Sequence, residues 1–179
     1  MAVPTILVLS VKGGSGKTLV SCNLAYELSK VGPVGLLDAD IDSPHLPSMV
    51  GLLSIIALNE KSQFIPAILQ GNPYEIKVVS FGIMGEFKGK GVTQSGSQHT
   101  TIIRDMIKRS AWGPISYRVV DLPAGSADSF IETMRIFKNI RGIIAVSQPS
   151  TVEALMRVFD ICKYHGLPLL GVIENMGGT

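Results

Sequence analysis

A glycine-rich loop between two apolar segments is the feature that most constrains this chain. The run from Ile6 to Leu9 is typical of a buried β-strand, and the segment from Thr18 to Lys30 carries apolar residues at helical spacing. The loop from Lys12 to Thr18, KGGSGKT, joins them. Its glycines allow the backbone to approach a bound group closely, and the following helix adds the positive end of its dipole. The order strand, loop, helix predicts a phosphate-binding loop.

The other residue types of this loop suit a nucleotide. Lys17 supplies a positive charge for the β and γ phosphates, and Thr18 offers a hydroxyl to Mg²⁺. The strict pattern GxxxxGK[ST] requires glycine at position 11, where this chain has Val11, and an additional cation, Lys12, lies within the loop. We therefore interpret the segment as a variant nucleotide-binding loop. Its predicted binding residues are Gly13, Gly14, Ser15, Gly16, Lys17 and Thr18.

Two other interpretations of these glycines stay open at this point. A dinucleotide-binding pattern, GxGxxG, could start at Gly14 and Gly16, but its third glycine would fall on Leu19. A glycine turn that arises by chance is the second alternative. Leu19 disfavours the dinucleotide pattern, and the order strand, loop, helix disfavours a chance turn.

A second apolar run leads into three acidic residues at alternating positions. Leu36 and Leu37 are followed by Asp38, Asp40 and Asp42. Ligands of parallel α/β sheets bind beyond the carboxyl ends of the strands, and carboxylate oxygens suit Mg²⁺ and water. The alternative is a polar turn in which the next residue, a serine, caps a helix.

A third apolar run, Val119-Val120, ends in Asp121 and continues as Leu-Pro-Ala-Gly. A strand that ends in aspartate is the second magnesium-binding element of nucleotide-binding folds of this type. Gly125 leaves a free N–H that could sense a γ-phosphate. Each motif is common alone, and the three in this order strengthen one another.

Short apolar runs alternate with longer amphipathic ones through the rest of the chain. This alternation favours an α/β fold of three layers with a mostly parallel sheet and right-handed crossovers. The predicted strands are Ile6–Leu9, Val34–Leu37, Ile76–Phe81, Tyr117–Val120, Ile143–Val146 and Leu169–Ile173. The predicted helices are Thr18–Lys30, Thr100–Arg109, Asp128–Phe137 and Thr151–Tyr164.

Composition excludes several classes of protein. The 179 residues suffice for one domain, so we expect residues 1–179 to form a single domain. Hydrophobic residues make up 46% and charged residues 17%, which excludes a disordered chain. The net charge of +2 gives no basis for a nucleic-acid partner or an anionic membrane partner. Two cysteines exclude a disulfide scaffold and favour a cytoplasmic location.

Cys22 and Cys162 fall in separate predicted helices, where we expect them to fill the core as small apolar residues. Cys162 and His165 have CxxH spacing, but the chain offers no second pair for a structural zinc site.

Two stretches lack a regular pattern. The segment from Gly82 to Thr100 is rich in glycine, and we expect a mobile solvated loop there, or else a loop that meets a partner or substrate. After the predicted strand that closes at Ile173, the chain ends at Thr179 without a covering helix, which would leave apolar surface or a strand edge bare. We therefore expect either a missing C-terminal part or a partner on that flank.

The motifs together resemble those of one family. KGGSGKT, LLDADIDSPHLP, VVDLPAGSAD and GVIENM, in this order, are similar to the Mrp/ApbC-type ATPases, the iron–sulfur cluster carrier branch of the deviant Walker A group that includes MinD, ParA and the nitrogenase iron protein. The resemblance extends from Ile6 to Met176. It implies a MinD-like P-loop NTPase fold.

The resemblance also implies catalytic roles. Lys12 matches the lysine that crosses an ATP-sandwiched homodimer to reach the partner's phosphates. Asp40 matches the residue that orients the attacking water, and Lys17 matches the lysine of the phosphate loop. The implied reaction is slow, switch-like ATP hydrolysis.

Further positions match the family's binding residues. Asp38 and Asp121 would hold Mg²⁺ directly or through water, together with Thr18. Asn175 matches the residue that reads the adenine edge, and an asparagine side chain offers both the donor and the acceptor that this edge requires.

The implied function is iron–sulfur cluster delivery, with iron–sulfur apo-proteins or assembly factors as partners. The family bridges a [4Fe–4S] cluster through a CxxC that follows Glu-Asn-Met, so we expect a cluster only if the natural chain continues into a CxxC. Two alternatives stay open: a MinD/ParA-type positioning ATPase, and a small-molecule ligase or kinase on the same scaffold.

Overall fold

A seven-stranded sheet organises the computed structural model, which describes residues 2–84, 96–125, 130–131 and 134–177. Its strands are β1 Thr5–Ser10, β2 Val34–Asp38, β3 Ala67–Leu69, β4 Ile76–Ser80, β5 Tyr117–Asp121, β6 Ile140–Ser147 and β7 Leu169–Glu174. The helices within these residues are α1 Lys17–Leu28, α2 Leu46–Met49, α3 Gly96–Arg109 and α4 Val152–Tyr164, with 3₁₀ turns at Phe81–Ile83 and Pro149–Thr151.

The strand order is β3-β4-β2-β5-β1-β6-β7, and every pair is parallel except β3 with β4. The strand β1, fifth in this order, lies between β5 and β6, so the loop that follows it emerges near the middle of the carboxyl edge. In register, Asp38 of β2 faces Asp121 of β5 on one side and Ser80 of β4 on the other. The mostly parallel α/β fold predicted from the sequence is confirmed.

Two apolar clusters cover the two faces of the sheet. Successive residues of β1 point to opposite faces of the sheet, so Leu7 belongs to one cluster and Val8 to the other. Ile103 of α3 and Leu155 of α4 pack into the first cluster. Val20, Leu24 and Leu28 of α1 pack against the second, as their helical spacing predicts. The result is three layers, with α1 on one face and α3 and α4 on the other.

The strand β7 forms one edge of the sheet and carries exposed apolar side chains. Leu170, Val172 and Ile173 are 55%, 42% and 40% exposed. This agrees with the bare apolar surface expected at the last strand. Among the described residues, no helix combines the length and the apolar character needed to cross a membrane.

The structure corrects several predicted boundaries. The helix expected from Thr100 begins at Gly96, so the irregular segment that starts at Gly82 is shorter than predicted, and residues 85–95 lie outside the described part. The segment predicted as a helix to Phe137 is helical at Phe130, Ile131 and Met134 and then turns. A hydrogen bond from Phe137 N–H to Met134 O, 3.1 Å long, tightens this turn and places the ring in the core.

Two short elements escaped the sequence patterns. β3 has three residues, and α2 has four, with a proline in its first turn. Neither is long enough to show a periodicity.

Candidate functional site

The glycine loop leaves β1 at Ser10 and passes directly into α1 at Lys17. The N-cap residue is Gly16, which has no side chain to accept hydrogen bonds from the first turn of the helix. The N–H groups at this helix end are therefore left for another acceptor, such as a phosphate oxygen.

Glycine is required in this loop at two positions for backbone reasons. Gly14 and Gly16 have φ angles of +77° and +87°, which side chains disfavour. A Cβ at Gly16 would also collide with the side-chain nitrogen of Asn175. Gly16 is thus required both for the conformation of the loop and for its close contact with Asn175 at the end of β7.

The carboxylate of Asp121 joins the loop, α1 and β5. Its Oδ1 accepts hydrogen bonds from Lys17 Nζ and Ser21 Oγ, each 2.8 Å long, and its Oδ2 accepts one of 2.7 Å from Thr18 Oγ1. Asp121 is 1% exposed and Lys17 6%, so this ion pair is buried. The pair and its two hydroxyl donors bring together three of the residues predicted for phosphate and metal binding.

Asp38 lies beside Asp121 without a cation of its own. Its Oδ2 accepts a hydrogen bond of 2.8 Å from Ser80 Oγ, and its Oδ1 accepts one of 3.1 Å from the Asp40 N–H. Burial, and next the negative charge of Asp121, raise the pKa of Asp38 from 3.8 to about 7.

Asp40 occupies a more open position on the same strand end. It is half-buried, and its Oδ1 accepts a hydrogen bond of 3.2 Å from the Ser43 N–H. Burial raises the pKa of Asp40, while the charge of Lys17 acts in the opposite direction. Asp40 can therefore reach a ligand that Asp38, below it, reaches less readily.

These groups surround a cavity of about 590 Å³ at the carboxyl edge of the sheet. It is lined by the loop residues from Gly13 to Leu19 and by Asp40, Asp42, Ser43, Pro123 and Met176, among others. The hydroxyl of Ser15 is buried and has no hydrogen-bond partner among the residues that the structure describes. Loop amides, a lysine and an unsatisfied hydroxyl together fit a phosphate group.

Lys12, Gly125 and Asn175 lie outside the lining of this cavity. Lys12 is exposed and does not line this cavity. Gly125 lines a neighbouring cavity, which shares Pro123 with the first. Asn175 lies beneath the loop, where its Nδ2 donates a hydrogen bond of 2.9 Å to Ser15 O.

The oxygen atoms around Asp121 suit a hard cation. Thr18 Oγ1 and the carboxylates of Asp38 and Asp121 are the ligand types that Mg²⁺ takes in combination with waters and phosphate oxygens. Within the described residues, no three His, Cys, Asp or Glu side chains group into a metal site. A cation here would therefore need oxygens from its nucleotide as well.

Both cysteines are placed as packing residues. Cys162 is 3% exposed in the first apolar cluster, as predicted, but Cys22 is only half-buried, because it lies on the flank of α1 against the second cluster. Burial first, and then the charges of Asp121 and Asp38, raise the pKa of Cys22 to about 12. Burial also raises the pKa of Cys162.

Three polar residues of the site were missed by the sequence analysis. Ser21 lies one helical turn after Lys17 and contacts Asp121, and Ser80 ends β4 and contacts Asp38. Helical spacing and the rule that strand ends share one edge could have found these two. Gln148, which donates a hydrogen bond of 3.1 Å to Gly14 O, gives no comparable signal in the sequence.

A family model and the named relatives agree on the family to which this chain is similar. Residues 2–179 match the ParA family model described as NUBPL iron-transfer P-loop NTPase. The cytosolic Fe-S cluster assembly factor NUBP2 homolog of Culex quinquefasciatus is 33% identical over 178 residues, which cover 97% of this chain and 69% of that protein. The iron-sulfur cluster carrier protein of Methanococcus maripaludis is 33% identical over 97% of this chain and 60% of its own length.

Solved structures agree with the fold. The nucleotide-binding protein in complex with ADP from Archaeoglobus fulgidus superposes with a TM-score of 0.78 at 30% identity, covering 96% of this chain and 66% of that one. The septum site-determining protein MinD complexed with Mg-ADP from Pyrococcus horikoshii has a TM-score of 0.66 at 22% identity, covering 96% of this chain and 70% of that one. The second likeness extends to the fold alone.

The raised pKa of Asp38 predicts how stability depends on pH. The folded protein binds more protons than the unfolded chain between pH 3.8 and about 7, so the free energy of unfolding decreases as pH rises through this window. Asp38→Asn removes the charge. We expect the variant to be more stable than the wild type by about 2–4 kcal/mol at pH 8, with the difference vanishing near pH 4.

Urea unfolding of the nucleotide-free and magnesium-free protein at several pH values measures this difference. Asp160→Asn, at an exposed position of α4, is the matched control and should follow the wild type. If Asp38→Asn and wild type were equally stable at pH 8, burial would not disfavour the charged form of Asp38, and the raised pKa would be wrong.

Proposed function

Since the chain belongs to the ParA family of NUBPL-type iron-transfer P-loop NTPases, we propose that it binds ATP with Mg²⁺ and hydrolyses it slowly to drive iron–sulfur cluster delivery. The observation that carries the proposal is the convergence of Lys17, Thr18 and Ser21 on Asp121 beneath a glycine loop. This arrangement provides the parts that phosphate and magnesium require, at the edge where such sheets bind ligands.

Binding of the phosphates exploits the loop and its lysine. The N–H groups of the loop from Gly13 to Gly16 donate to phosphate oxygens. The ammonium group of Lys17 moves from the Asp121 carboxylate to the β and γ phosphates. The buried ion pair of 2.8 Å holds the ammonium group beside the cavity before the nucleotide arrives. Gly125 senses the γ-phosphate from the loop after β5. Asn175 contacts the adenine edge with the second hydrogen of its amide nitrogen and the second acceptor site of its amide oxygen, since Ser15 O and the Met176 N–H each occupy only one.

Magnesium would be held by Thr18 and, directly or through water, by Asp38 and Asp121. When bound, it would supply positive charge to the β and γ phosphate oxygens. The oxygen of the Thr18 hydroxyl, which here donates its hydrogen to Asp121 Oδ2, would offer a lone pair to the cation. Positive charge beside Asp38 would also favour its ionised form over the neutral one.

Hydrolysis requires an oriented water and a second cation. Asp40, half-buried at the cavity, orients the water that attacks the γ-phosphate in line. Lys12 is exposed and does not line its own cavity, which supports a role across a homodimer, at the phosphates of the partner subunit. Lys17, the loop amides and the partner's lysine then stabilise the developing charge.

Cluster delivery rests on the named relatives and not on the cysteines of this chain. The chain spans 69% and 60% of the length of the two relatives described above. Cys22 on α1 and Cys162 on α4 lie on opposite faces of the sheet. We therefore propose a cytoplasmic ATPase that holds a cluster only if the natural chain continues into a CxxC, and whose partners are iron–sulfur apo-proteins or assembly factors.

Replacement of Lys17 tests the nucleotide site. Lys17→Ala removes a charge-assisted contact to the phosphates, and we expect ATP affinity to decrease on the order of 10- to 100-fold. Isothermal titration with ATP and Mg²⁺ measures it. Lys30→Ala, at an exposed position of the same region, should bind as the wild type does. Wild-type affinity in Lys17→Ala, with its fold verified by circular dichroism, would contradict the assignment of the loop.

Binding and turnover separate in two further variants. Asp40→Ala should bind ATP within about twofold of wild type yet lose phosphate release, because Asp40 acts on the water. Lys12→Ala should reduce ATP-dependent dimerisation in light scattering, whereas Lys61→Ala, another exposed lysine, should not. Phosphate release at the wild-type rate in Asp40→Ala would reject the role of Asp40. If dimerisation depended neither on ATP nor on the Lys12 side chain, the ATP-sandwiched dimer would be rejected.

A third experiment concerns the cluster. After anaerobic reconstitution, we expect the 179-residue chain to hold no stable cluster, since a cluster generally takes four thiolates and the two cysteines are separated by the sheet. Iron and sulfide assays with visible absorption measure this, and Cys22→Ser/Cys162→Ser serves as the control. A stoichiometric cluster in the wild type, absent in the control, would contradict this use of the cysteines. A longer form that carries a CxxC and binds no cluster would contradict cluster delivery.

A further inference from the structure

Two side-chain amides support the glycine loop from the side away from the phosphates. Gln148 Nε2 donates a hydrogen bond of 3.1 Å to Gly14 O, and Asn175 Nδ2 donates one of 2.9 Å to Ser15 O. Gln148 follows β6 and Asn175 follows β7, so both come from strands on the same side of the loop. Neither contact involves a nucleotide.

The geometry of the peptide bond gives these contacts a consequence inside the cavity. A trans peptide unit is planar, so the C=O of one residue and the N–H of the next point in opposite directions. The carbonyl of Gly14 shares its plane with the N–H of Ser15, and the carbonyl of Ser15 shares its plane with the N–H of Gly16. Whatever fixes these two carbonyls also fixes the direction of two candidate phosphate donors.

We infer that Gln148 is a positioning residue of the nucleotide site: with Asn175, it holds the Gly14 and Ser15 carbonyls and so directs the Ser15 and Gly16 N–H groups toward the phosphates. This inference rests on the proposed nucleotide-binding function. It assigns Gln148 to the phosphate part of the site, although its side chain touches no phosphate.

The loop needs such support because of its glycines. Gly14 and Gly16 adopt positive φ angles, and glycine has more conformational freedom to lose on ordering than any other residue. Asn175 approaches Gly16 so closely that only a hydrogen atom fits there. A donor on each carbonyl also polarises the peptide and strengthens its N–H as a donor.

Both amides are themselves held in place. The Gln148 N–H donates to Thr151 Oγ1 over 3.1 Å, and that hydroxyl lies 3.0 Å from Ser147 Oγ. The Asn175 N–H donates to Ser147 O over 2.8 Å, and Asn175 Oδ1 accepts from the Met176 N–H over 3.0 Å. The last contact turns the amide nitrogen of Asn175 toward the loop. The support therefore originates in the ordered ends of β6 and β7.

Two variants of equal length test the role of Gln148. Gln148→Met keeps the length and removes the donor, and Gln148→Glu keeps the shape and replaces the amide nitrogen with an oxygen that repels the Gly14 carbonyl. We expect the affinities for Mg-ADP and Mg-ATP to decrease together, about two- to tenfold in Gln148→Met and by more in Gln148→Glu. Ser150→Ala, exposed in the same turn, is the control and should bind as wild type.

Two readouts separate positioning from a general loss of structure. The amide resonances of Ser15 and Gly16 in nucleotide-free protein should shift in both Gln148 variants and not in Ser150→Ala. The melting temperature without nucleotide should stay within about 2 °C of wild type, as expected for a half-buried side chain whose amide nitrogen makes two neutral hydrogen bonds, to Gly14 O and Met176 Sδ. In steady-state kinetics KM should rise with kcat unchanged, because ground state and transition state lose the same contact.

The outcomes are distinguishable. Variants that bind both nucleotides within twofold of the wild type, or whose amide resonances do not move, would overturn the role of Gln148 while the proposed function stands. Variants that bind weakly only because their nucleotide-free melting temperature collapses would overturn it as well. A wild-type protein that binds neither nucleotide would overturn the proposed function and this inference with it.

Discussion

The carboxylate of Asp121 is the junction on which the rest of the site depends. It ends a strand at the centre of the sheet and accepts hydrogen bonds from three residues of the first turns of α1. Taking a carboxylate and an ammonium group out of water is costly, and the attraction between them offsets that cost only when geometry and additional donors are favourable. Lys17, Thr18 and Ser21 meet this condition, and they fix the start of α1 relative to β5.

Asp38 and Asp121 show how two neighbouring carboxyl groups acquire different properties. They face each other in register across β2 and β5 and are equally buried. Asp121 has a lysine and two hydroxyl groups as partners, whereas Asp38 has one hydroxyl and one backbone N–H. Asp121 therefore has more donors to stabilise a carboxylate than Asp38 has. A cation bound beside Asp38 would favour the ionised form of Asp38.

Much of the site could be predicted from local sequence because its parts follow strand ends. The loop from Gly13 to Thr18 and the two aspartates at the ends of β2 and β5 are each adjacent to an apolar run, and parallel strands bring such ends to one edge. Gly125 and Asn175 lie outside the lining of the loop's cavity, and their roles toward the γ-phosphate and the adenine stay predictions. Their exact positions depend on what packs against their loops, which local sequence does not show. Gln148 could not be found at all, because its partner lies 134 residues away in the sequence. That partner is a backbone carbonyl, which every residue type has, so no sequence pattern reveals it.

The high pKa of Cys22 has a consequence for the chemistry of a protein in this family. Thiolates, not thiols, bind iron and react with oxidants. With a pKa of about 12, Cys22 keeps its proton at any physiological pH, although it lies close to two carboxylates that attract cations. As a neutral thiol the side chain is a poor nucleophile, so at physiological pH Cys22 should react with peroxides more slowly than an ordinary exposed cysteine.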